Sequence, residues 1–396
     1  MKVAVIGGGA AGFFAALSVA EHHPTAQVVI FEKTDKLLAK VKISGGGRCN
    51  VTHACDSASQ LANHYPRGGK WLKRAFRRFQ VHDCINWFAQ RGVALKTESD
   101  GRMFPTTDSS QTIVDCLMQA TKQAGIVIQR KTVIDQLLPD LVVNGLHFDR
   151  VIVATGGHPK PAGFDWLQPL GHRIISPVPS LFTFNMPGND ITQLMGVVIP
   201  QATARIQGTQ WVQSGPILIT HWGLSGPAIL KLSAWAAREL AQCQYHFHVH
   251  INWLDGRHEG LIQKEIEAAL PEIHKRKISN ACPFPGLPKA FWRHLLVRSG
   301  IPLDRLWHEL GKKQRNKLLQ LLTNDVHKVR GKTTFKEEFV TCGGVDCTEV
   351  NFDTMQSQKA PGVHFAGEVL DIDGVTGGFN FQAAWTTGYI AGQLQD

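Results

Sequence analysis

The chain of 396 residues carries 42 lysines and arginines against 32 acids, a net charge of +10, with 43% hydrophobic and 19% charged residues. That length gives room for two or three domains and a large core, and the composition excludes a disordered or fibrous chain. No apolar run approaches the ~18 residues that a membrane-spanning helix needs, and the first apolar residues are broken by three glycines within nine positions, which argues against a signal peptide.

The segment Val3 to Gly12 reads VAVIGGGAAG: apolar β-formers run into Gly7-x-Gly9-x-x-Gly12, and a helical run, AGFFAALSVAE, follows at once. This strand–loop–helix order is a dinucleotide fingerprint. Gly7 permits the sharp turn, Gly9 lets N–H groups approach a pyrophosphate, Gly12 lets the helix pack on the strand, and the helix N-terminus supplies partial positive charge for the phosphates. A second strand, QVVIFEK, ends in Glu32, 20 residues past Gly12, where a carboxylate accepts hydrogen bonds from an adenosine ribose. By itself this stretch leaves NAD and FAD open.

Next comes ISGGGRCN, in which Gly45, Gly46 and Gly47 are flanked by Lys40, Lys42 and Arg48, with Asn50 following. The run reads either as a nest of N–H donors for a phosphate or flavin edge, or as a flexible surface turn. Helices are predicted at about 70–79, 81–91 and 109–124, separated by a loop with Arg102 and Pro105. IVIQRKTVIDQLL reads as a strand and LVVNGLHF as another, with Asn-Gly near a turn. FDRVIVATGG is a third, ending in small residues from Ala154 to Gly157, where Thr155 and the backbone can approach a cofactor.

From about Pro177 the texture alternates with the period of antiparallel strands, in SLFTFNM, GVVIPQATARIQ and QYHFHVHINW. GPILITHWGLSGPAILKLSAWAARELA between them reads as a strand, a glycine turn and a helix, and 258–330 is helical in pattern. His246, His248 and His250 share one strand face, either as metal ligands or as the wet side of a strand whose Phe247, Val249 and Ile251 point inward. HExxH, GxSxG and a second GxGxxG are absent, which disfavours zinc-protease chemistry, serine-hydrolase chemistry and a permanently docked NAD(P)H domain. The eight cysteines are scattered and none forms CxxC, so a zinc ribbon is not indicated and a reducing cytoplasm is the expected compartment.

The ending repeats the opening order. The strand GVHFAGE leads into VLDIDGVTGGFNFQAAW: Glu368 can bind ribityl hydroxyls, Gly374, Gly377 and Gly378 let the backbone approach a flat ring, and a helix starts near Phe379. Partial positive charge there would stabilise an anionic reduced flavin, and this second turn decides for FAD over NAD.

The positive charge is concentrated. From Pro271 to Lys336 there are fifteen lysines and arginines against four acids (Glu272, Asp304, Glu309, Asp325), and Arg67, Lys70, Lys73, Arg74, Arg77 and Arg78 form a second cluster without an acid. Segments 67–78 and 271–336 are therefore either solvated faces or a footprint for a polyanion such as RNA.

Taken together, GGGAAG at 7–12, ISGGGRCN at 43–50, ATGG at 154–157, THWGLSGPAIL at 220–230, and CGGVDCTEV with AGEVLDIDGVTGGFNFQAAW resemble one family, the BaiN/RdsA-type (YhiN-like) NAD(P)/FAD-dependent oxidoreductases, which include aminoacetone-oxidase-like flavoproteins. The resemblance implies an α/β fold: a Rossmann-like FAD-binding domain of the glutathione-reductase type built from 1–180 and 336–396. Inserted into it would be a β-barrel-like domain at 181–257 and a small basic helical domain at 258–335. It implies that Gly7, Gly9, Ala10, Ala11, Gly12, Glu32 and Lys33 hold the ADP half of FAD and that the Val133 backbone contacts adenine. Gly45 to Gly47, Arg48, Cys49 and Asn50, with Ala154, Thr155 and Gly156, would lie near pyrophosphate or flavin. Gly367, Glu368, Asp373, Gly374, Gly377, Gly378, Phe379 and Asn380 would surround ribityl and ring.

Family members are associated with reduction of C=C bonds in steroid-like molecules, reduction of uridine in ribosomal RNA, and oxidation of small amines. The substrate is accordingly a small molecule or an RNA base, with NAD(P)H as a transient reductant and no membrane partner. The run HPKPAGFDWLQPLGH after ATGG departs from the family's Pro/Gly/Ser-rich pattern, so the substrate does not transfer. Three residues, of which Cys49 is also in the cofactor set, are candidates for chemistry. Cys49 is a proton donor or a small residue in a tight turn. His221 is an acid or a substrate hydrogen-bond donor, or else a bystander. Arg102 neutralises an anionic substrate or caps its loop.

Overall fold

A computed structural model describes residues 1–334 and 340–395. They form two compact units, Leu181–Thr334 and the remainder from both chain ends. The last residue of the basic segment, Lys336, and the break expected at 335/336 lie outside the described residues.

The first unit is built on a seven-stranded sheet in the order Val350–Asn351, Gln356–Ser357, Val363–Phe365, Arg150–Val153, Lys2–Ile6, Gln27–Phe31, Val127–Gln129. The pairings from Val363–Phe365 onward are parallel. Val3, Ala4, Val5 and Ile6 are all buried, the unbroken apolar run of a strand covered on both faces. Helix Ala10–His22 leaves the first strand, and the C-terminal helix Phe379–Gly392 lies against it.

Small residues set that contact. A Cβ added at Gly388 would come within 2.6 Å of the Ala11 carbonyl oxygen, and one at Gly392 would overlap that of Ala15. Ser18 Oγ donates to the Tyr389 carbonyl at 2.6 Å. The two chain ends therefore meet backbone to backbone, in the sheet through Val363–Phe365 and above it through the helices.

The second unit holds an antiparallel sheet in the order Asp325–Arg330, His246–Asn252, Val198–Ile206, Val212–Thr220, Gly223–Ser225, Thr183–Asn185, Lys332–Thr333. Helices Glu259–Ile273, Lys289–Arg298 and Lys312–Thr323 lie in the chain between strands His246–Asn252 and Asp325–Arg330. Trp253, Ile262, Phe291, Trp292, Leu318 and Val329 share one apolar core, so strands and helices here bury each other's faces.

Local readings change at four places. Strand 127–129 stops where Lys131 takes a φ of 54°, so the expected long strand is short. LVVNGLHF is a hairpin, Val142–Val143 against Leu146–His147, because Asn144 and Gly145 both adopt positive φ, the two-residue turn that Asn-Gly favours. The helix expected after Pro227 is two helices, Pro227–Trp235 and Ala237–Gln242. The helical texture of 258–330 ends at Thr323, and Asp325–Arg330 is a strand whose residues alternate buried and exposed.

Candidate functional site

The first strand delivers the glycine loop to the sheet's end. Gly7 has a φ of 121° and lies against Ala154 and Thr155 of the ATGG turn, where a side chain would overlap the Ala154 carbonyl. Gly12 sits so close to Gly7 that a Cβ would overlap the Gly7 carbonyl oxygen. Gly9 differs: an added Cβ meets nothing within 4 Å, so the backbone there faces open space at the start of the first helix. Glu32 accepts from Gly8 N at 2.9 Å through one oxygen and from Thr34 N at 2.9 Å through the other. Its carboxylate is thus already aimed at the loop. Lys33 is exposed beside it, Ala10 is half-buried and Ala11 is buried under the C-terminal helix. Val133 is exposed, and its carbonyl accepts from Asn144 Nδ2 at 2.8 Å.

The ISGGGRCN run closes the helix Ala39–Gly47 with three left-handed glycines in succession: Gly45, Gly46 and Gly47 at φ 58°, 68° and 83°. Gly45 abuts Phe104 and Asn50, while Gly46, Gly47 and Gly156 of the ATGG turn face open space. Arg48 pairs with Glu98 at 2.7 Å, and its guanidinium lies 3.9 Å over the Phe104 ring. The Asn50 amide, oriented by its partners, donates to the Thr52 carbonyl and accepts from Gly378 N, each at 3.0 Å. Thr52 Oγ1 donates to Gln382 and Trp385 Nε1 donates to the Val51 carbonyl, so residues 50–52 are clamped onto the C-terminal helix.

At that helix's start Gly378 has a φ of 95° and no room for a side chain: a Cβ would come within 2.6 Å of the Thr52 carbonyl oxygen. A Cβ at Gly367 would come within 2.8 Å of Ala11 Cβ, while one at Gly377 would lie 3.1 Å from Phe379 and 3.3 Å from His53. Glu368 joins three segments, accepting from Lys40 Nζ at 2.7 Å and Thr341 N at 2.9 Å. Asn380 is closed on Gly374, its Oδ1 accepting from Gly374 N at 2.8 Å and its Nδ2 donating to Gly374 O at 2.9 Å.

Two histidines absent from the sequence candidates converge here. His64 and His53 stack on Phe379 at 4.2 and 4.6 Å between ring centroids, His53 Nδ1 lies 3.0 Å from the Gly377 carbonyl, and Tyr65 donates to the Phe379 carbonyl at 2.6 Å. His53 stands three residues after Asn50, and that proximity to a quoted motif was the available signal.

Three of the sequence candidates are defined by their packing. The Asp373 side chain is wholly buried, bonded to Arg67 and accepting from Ser180 Oγ at 2.6 Å, and it neutralises the Arg67 charge. Burial holds its carboxyl above the usual range in spite of Arg67. The basic run 67–78 is not an acid-free patch in space, since Arg74 reaches Asp353 Oδ1 at 2.6 Å and Arg78 the Asp353 carbonyl. Cys49 is fully buried at a left-handed φ of 61°, and burial pushes its thiol up to about 12. It is the small residue in a tight turn.

Alkylation at neutral pH is therefore expected to label exposed Cys243 and spare Cys49 in the folded protein, read by peptide mass spectrometry. Rapid modification of Cys49 would contradict its burial. Arg102 is tied to Asp100 at 2.7 Å and Glu98 at 3.0 Å and caps its own turn. His221 belongs to the second unit, where it lines a cavity of about 320 Å3 with Asn185, Trp222 and Arg330.

The family described as HI0933-like protein Rossmann domain matches residues 1–394. The chain belongs to the HI0933-like family. It is an FAD-dependent oxidoreductase with a Rossmann-like FAD-binding fold. Relatives cover nearly all of the HI0933-like chain. A 3-dehydro-bile acid delta(4,6)-reductase of Clostridium scindens is 26% identical over 99% of this chain and 98% of its own. A ribosomal RNA dihydrouridine synthase of Escherichia coli is 29% identical over 98% and 96%, and one of Haemophilus influenzae 28% over 97% and 96%.

The residues present fit the flavin nucleotide. At Gly9, Gly46, Gly47 and Gly156 the backbone faces open space, as close approach of a phosphate or ring requires, while Gly7, Gly12, Gly367 and Gly378 are packed against neighbouring residues. Among the described residues no helix is long and apolar enough to cross a membrane, and no two cysteines are bonded.

Proposed function

We propose that this oxidoreductase reduces a carbon–carbon double bond conjugated to a carbonyl, with NAD(P)H as the transient electron source, and that the substrate is an RNA base such as uridine. One observation carries the reading: full-length relatives with two unlike substrates are both named for removing a ring double bond. The net charge of +10 favours the polyanionic substrate of the two. Eight cysteines without a disulfide among the described residues suit a reducing cytoplasm.

When bound, FAD would supply hydride transfer between NAD(P)H and the β-carbon of the conjugated bond, leaving the α-carbon to be protonated. The chain supplies the rest. The backbone of Gly7, Gly9 and the first helix would hold phosphates, and Glu32 the ribose hydroxyls. Glu368 and the start of helix Phe379–Gly392 would hold the ribityl and the ring, where helix N–H groups favour developing negative charge. His53 and His64, both stacked on Phe379 and His53 against Gly377, would be the proton sources.

Anaerobic stopped-flow tests the reading. NADPH or NADH is expected to bleach the yellow protein, and a uridine-containing RNA, rather than a steroid enone, to restore the colour with formation of dihydrouridine. Bleaching by a small amine and not by a nicotinamide would assign an oxidase instead. RNA binding without any flavin reoxidation would assign a non-catalytic flavoprotein.

A further inference from the structure

The three alternating histidines belong to a wider surface of the second unit. Strand register sets His246 opposite Arg330, His248 opposite Lys328, and His250 opposite both Val326 and Arg205. Arg205, His246, His248, Lys328 and Arg330 are exposed, while Val249, Ile251 and Val329 fill the core between them. Thr203 and Ser214 continue the same face, their hydroxyls 2.7 Å apart.

Of the strands Val198–Ile206, Val212–Thr220, His246–Asn252 and Asp325–Arg330, only the last contains an acid, and Asp325 faces inward. It accepts from Arg298 at 2.7 and 2.9 Å and from Trp253 Nε1 at 3.0 Å, and it contacts His327 Nε2 at 2.9 Å. The outer face of these four strands therefore presents cations, imidazoles and hydroxyls and no carboxylate.

Arg330 joins this face to the cavity of about 320 Å3 lined by Asn185, His221 and Trp222. The His221 and Trp222 rings stand edge to face, 4.2 Å apart, and Trp222 is fixed by its indole N–H to Thr183 Oγ1 at 3.0 Å. Rings for stacking, an amide for a base edge and an arginine for a phosphate form the chemistry of a nucleotide subsite.

We propose that this sheet face and its cavity bind single-stranded RNA, with phosphates along Arg205, Lys328 and Arg330 and one base entering between Asn185 and Trp222. The proposal rests on the RNA-base reading above and adds the surface that holds the strand. Of the two sequence alternatives for the basic segments 67–78 and 271–336, solvated faces or a polyanion footprint, it takes the second for Lys328 and Arg330 of the latter segment and adds Arg205.

The test is fluorescence anisotropy of labelled polyuridylate on the full-length flavoprotein across a sodium chloride series. The variant Arg205→Gln/Lys328→Gln/Arg330→Gln is expected to lose on the order of 100-fold in affinity at low salt, and its log–log salt slope to become shallower by roughly 2. A charge-keeping variant, Arg205→Lys/Arg330→Lys, keeps binding, and Trp222→Leu loses the preference for polyuridylate over polyphosphate.

Wild-type affinity in the triple variant, while the same substitutions on helix Lys312–Thr323 (Lys312→Gln/Lys313→Gln/Lys317→Gln) abolish binding, would overturn the surface and leave the RNA-base reading intact. RNA binding lost with the triple variant, but no dihydrouridine formed by the wild type, would support the surface and refute that reading. Wild-type protein that ignores polyuridylate at low salt, or that prefers phosphatidylglycerol vesicles, would overturn the proposal.

Discussion

Gly12→Ala is expected to give a protein that is colourless as purified and less stable than the wild type. The new methyl group would overlap the Gly7 carbonyl oxygen and come within 3.1 Å of the Gly7 carbonyl carbon and 3.5 Å of Val5 Cγ1. The first two of these are backbone, which cannot swing aside as a side-chain end can. Overpacking of this kind costs about 1–3 kcal/mol, and relief requires the first helix to lift from the strand. Lifting it moves the N–H groups that would hold the phosphates and strains the contact of Ala11 and Ala15 with Gly388 and Gly392.

Gly9→Ala isolates the second effect. Gly9 has an extended backbone with φ −96° and nothing within 4 Å of an added Cβ, so this variant should fold with an unchanged melting temperature yet retain less flavin. Absorbance of the purified proteins and their thermal melts read the two effects separately. A Gly12→Ala protein with a full flavin complement and the wild-type melting temperature would refute the account.

Arg67→Met is the second large effect, and it acts at Asp373. The guanidinium is the cationic partner of a carboxylate that is fully buried, and Ser180 supplies only a neutral hydrogen bond. Removing one partner of a buried pair leaves an uncompensated charge and destabilises by roughly 3–5 kcal/mol. The pH dependence has a definite sign. Burial raises the Asp373 carboxyl above its unfolded value, so the native state keeps its proton to higher pH than the unfolded chain does. Stability from this group is therefore greatest below the unfolded value of about 3.9 and falls as pH rises through the native one. Without Arg67 the native value climbs further and the falling limb lengthens. Thermal melts over a pH series should show Arg67→Met losing stability toward neutrality more steeply than wild type, with Asp373→Asn in the same background restoring part of it. Parallel pH profiles for the two proteins would contradict the pairing.

The glycine spacing at both ends was legible because each position answers a local demand. Gly7, Gly377 and Gly378 adopt positive φ, and a run of β-formers before a glycine turn and a helix leaves little choice of local structure. The period-two texture of His246–Asn252 likewise announced which side chains face out, and the buried Val249 and Ile251 follow from it. Boundaries were harder. Asp325–Arg330 follows helices directly, and its strand pairing depends on His246–Asn252, which lies about 75 residues earlier.

Roles that depend on a distant partner were not legible at all. Arg67 reads as one of six positive charges in a row, yet its acid stands 306 residues away in the chain. Cys49 reads either as a proton donor or as a small residue in a tight turn, and its packing decides for the second. His53 and His64 carry no motif of their own, and they become neighbours because Phe379 is brought between the segments that hold them.

By itself the sequence determined that a strand, a glycine loop and a helix recur at both ends, that an acid follows the first at ribose spacing, and that the middle of the chain is antiparallel and basic. Tertiary structure decided which glycines line open space and which only permit close packing, which charges are neutralised inside, and which basic residues share one face. The physical reason is range. Backbone conformation and side-chain alternation are set by neighbours along the chain, whereas burial, charge compensation and the facing of one surface are set by residues that only folding brings together.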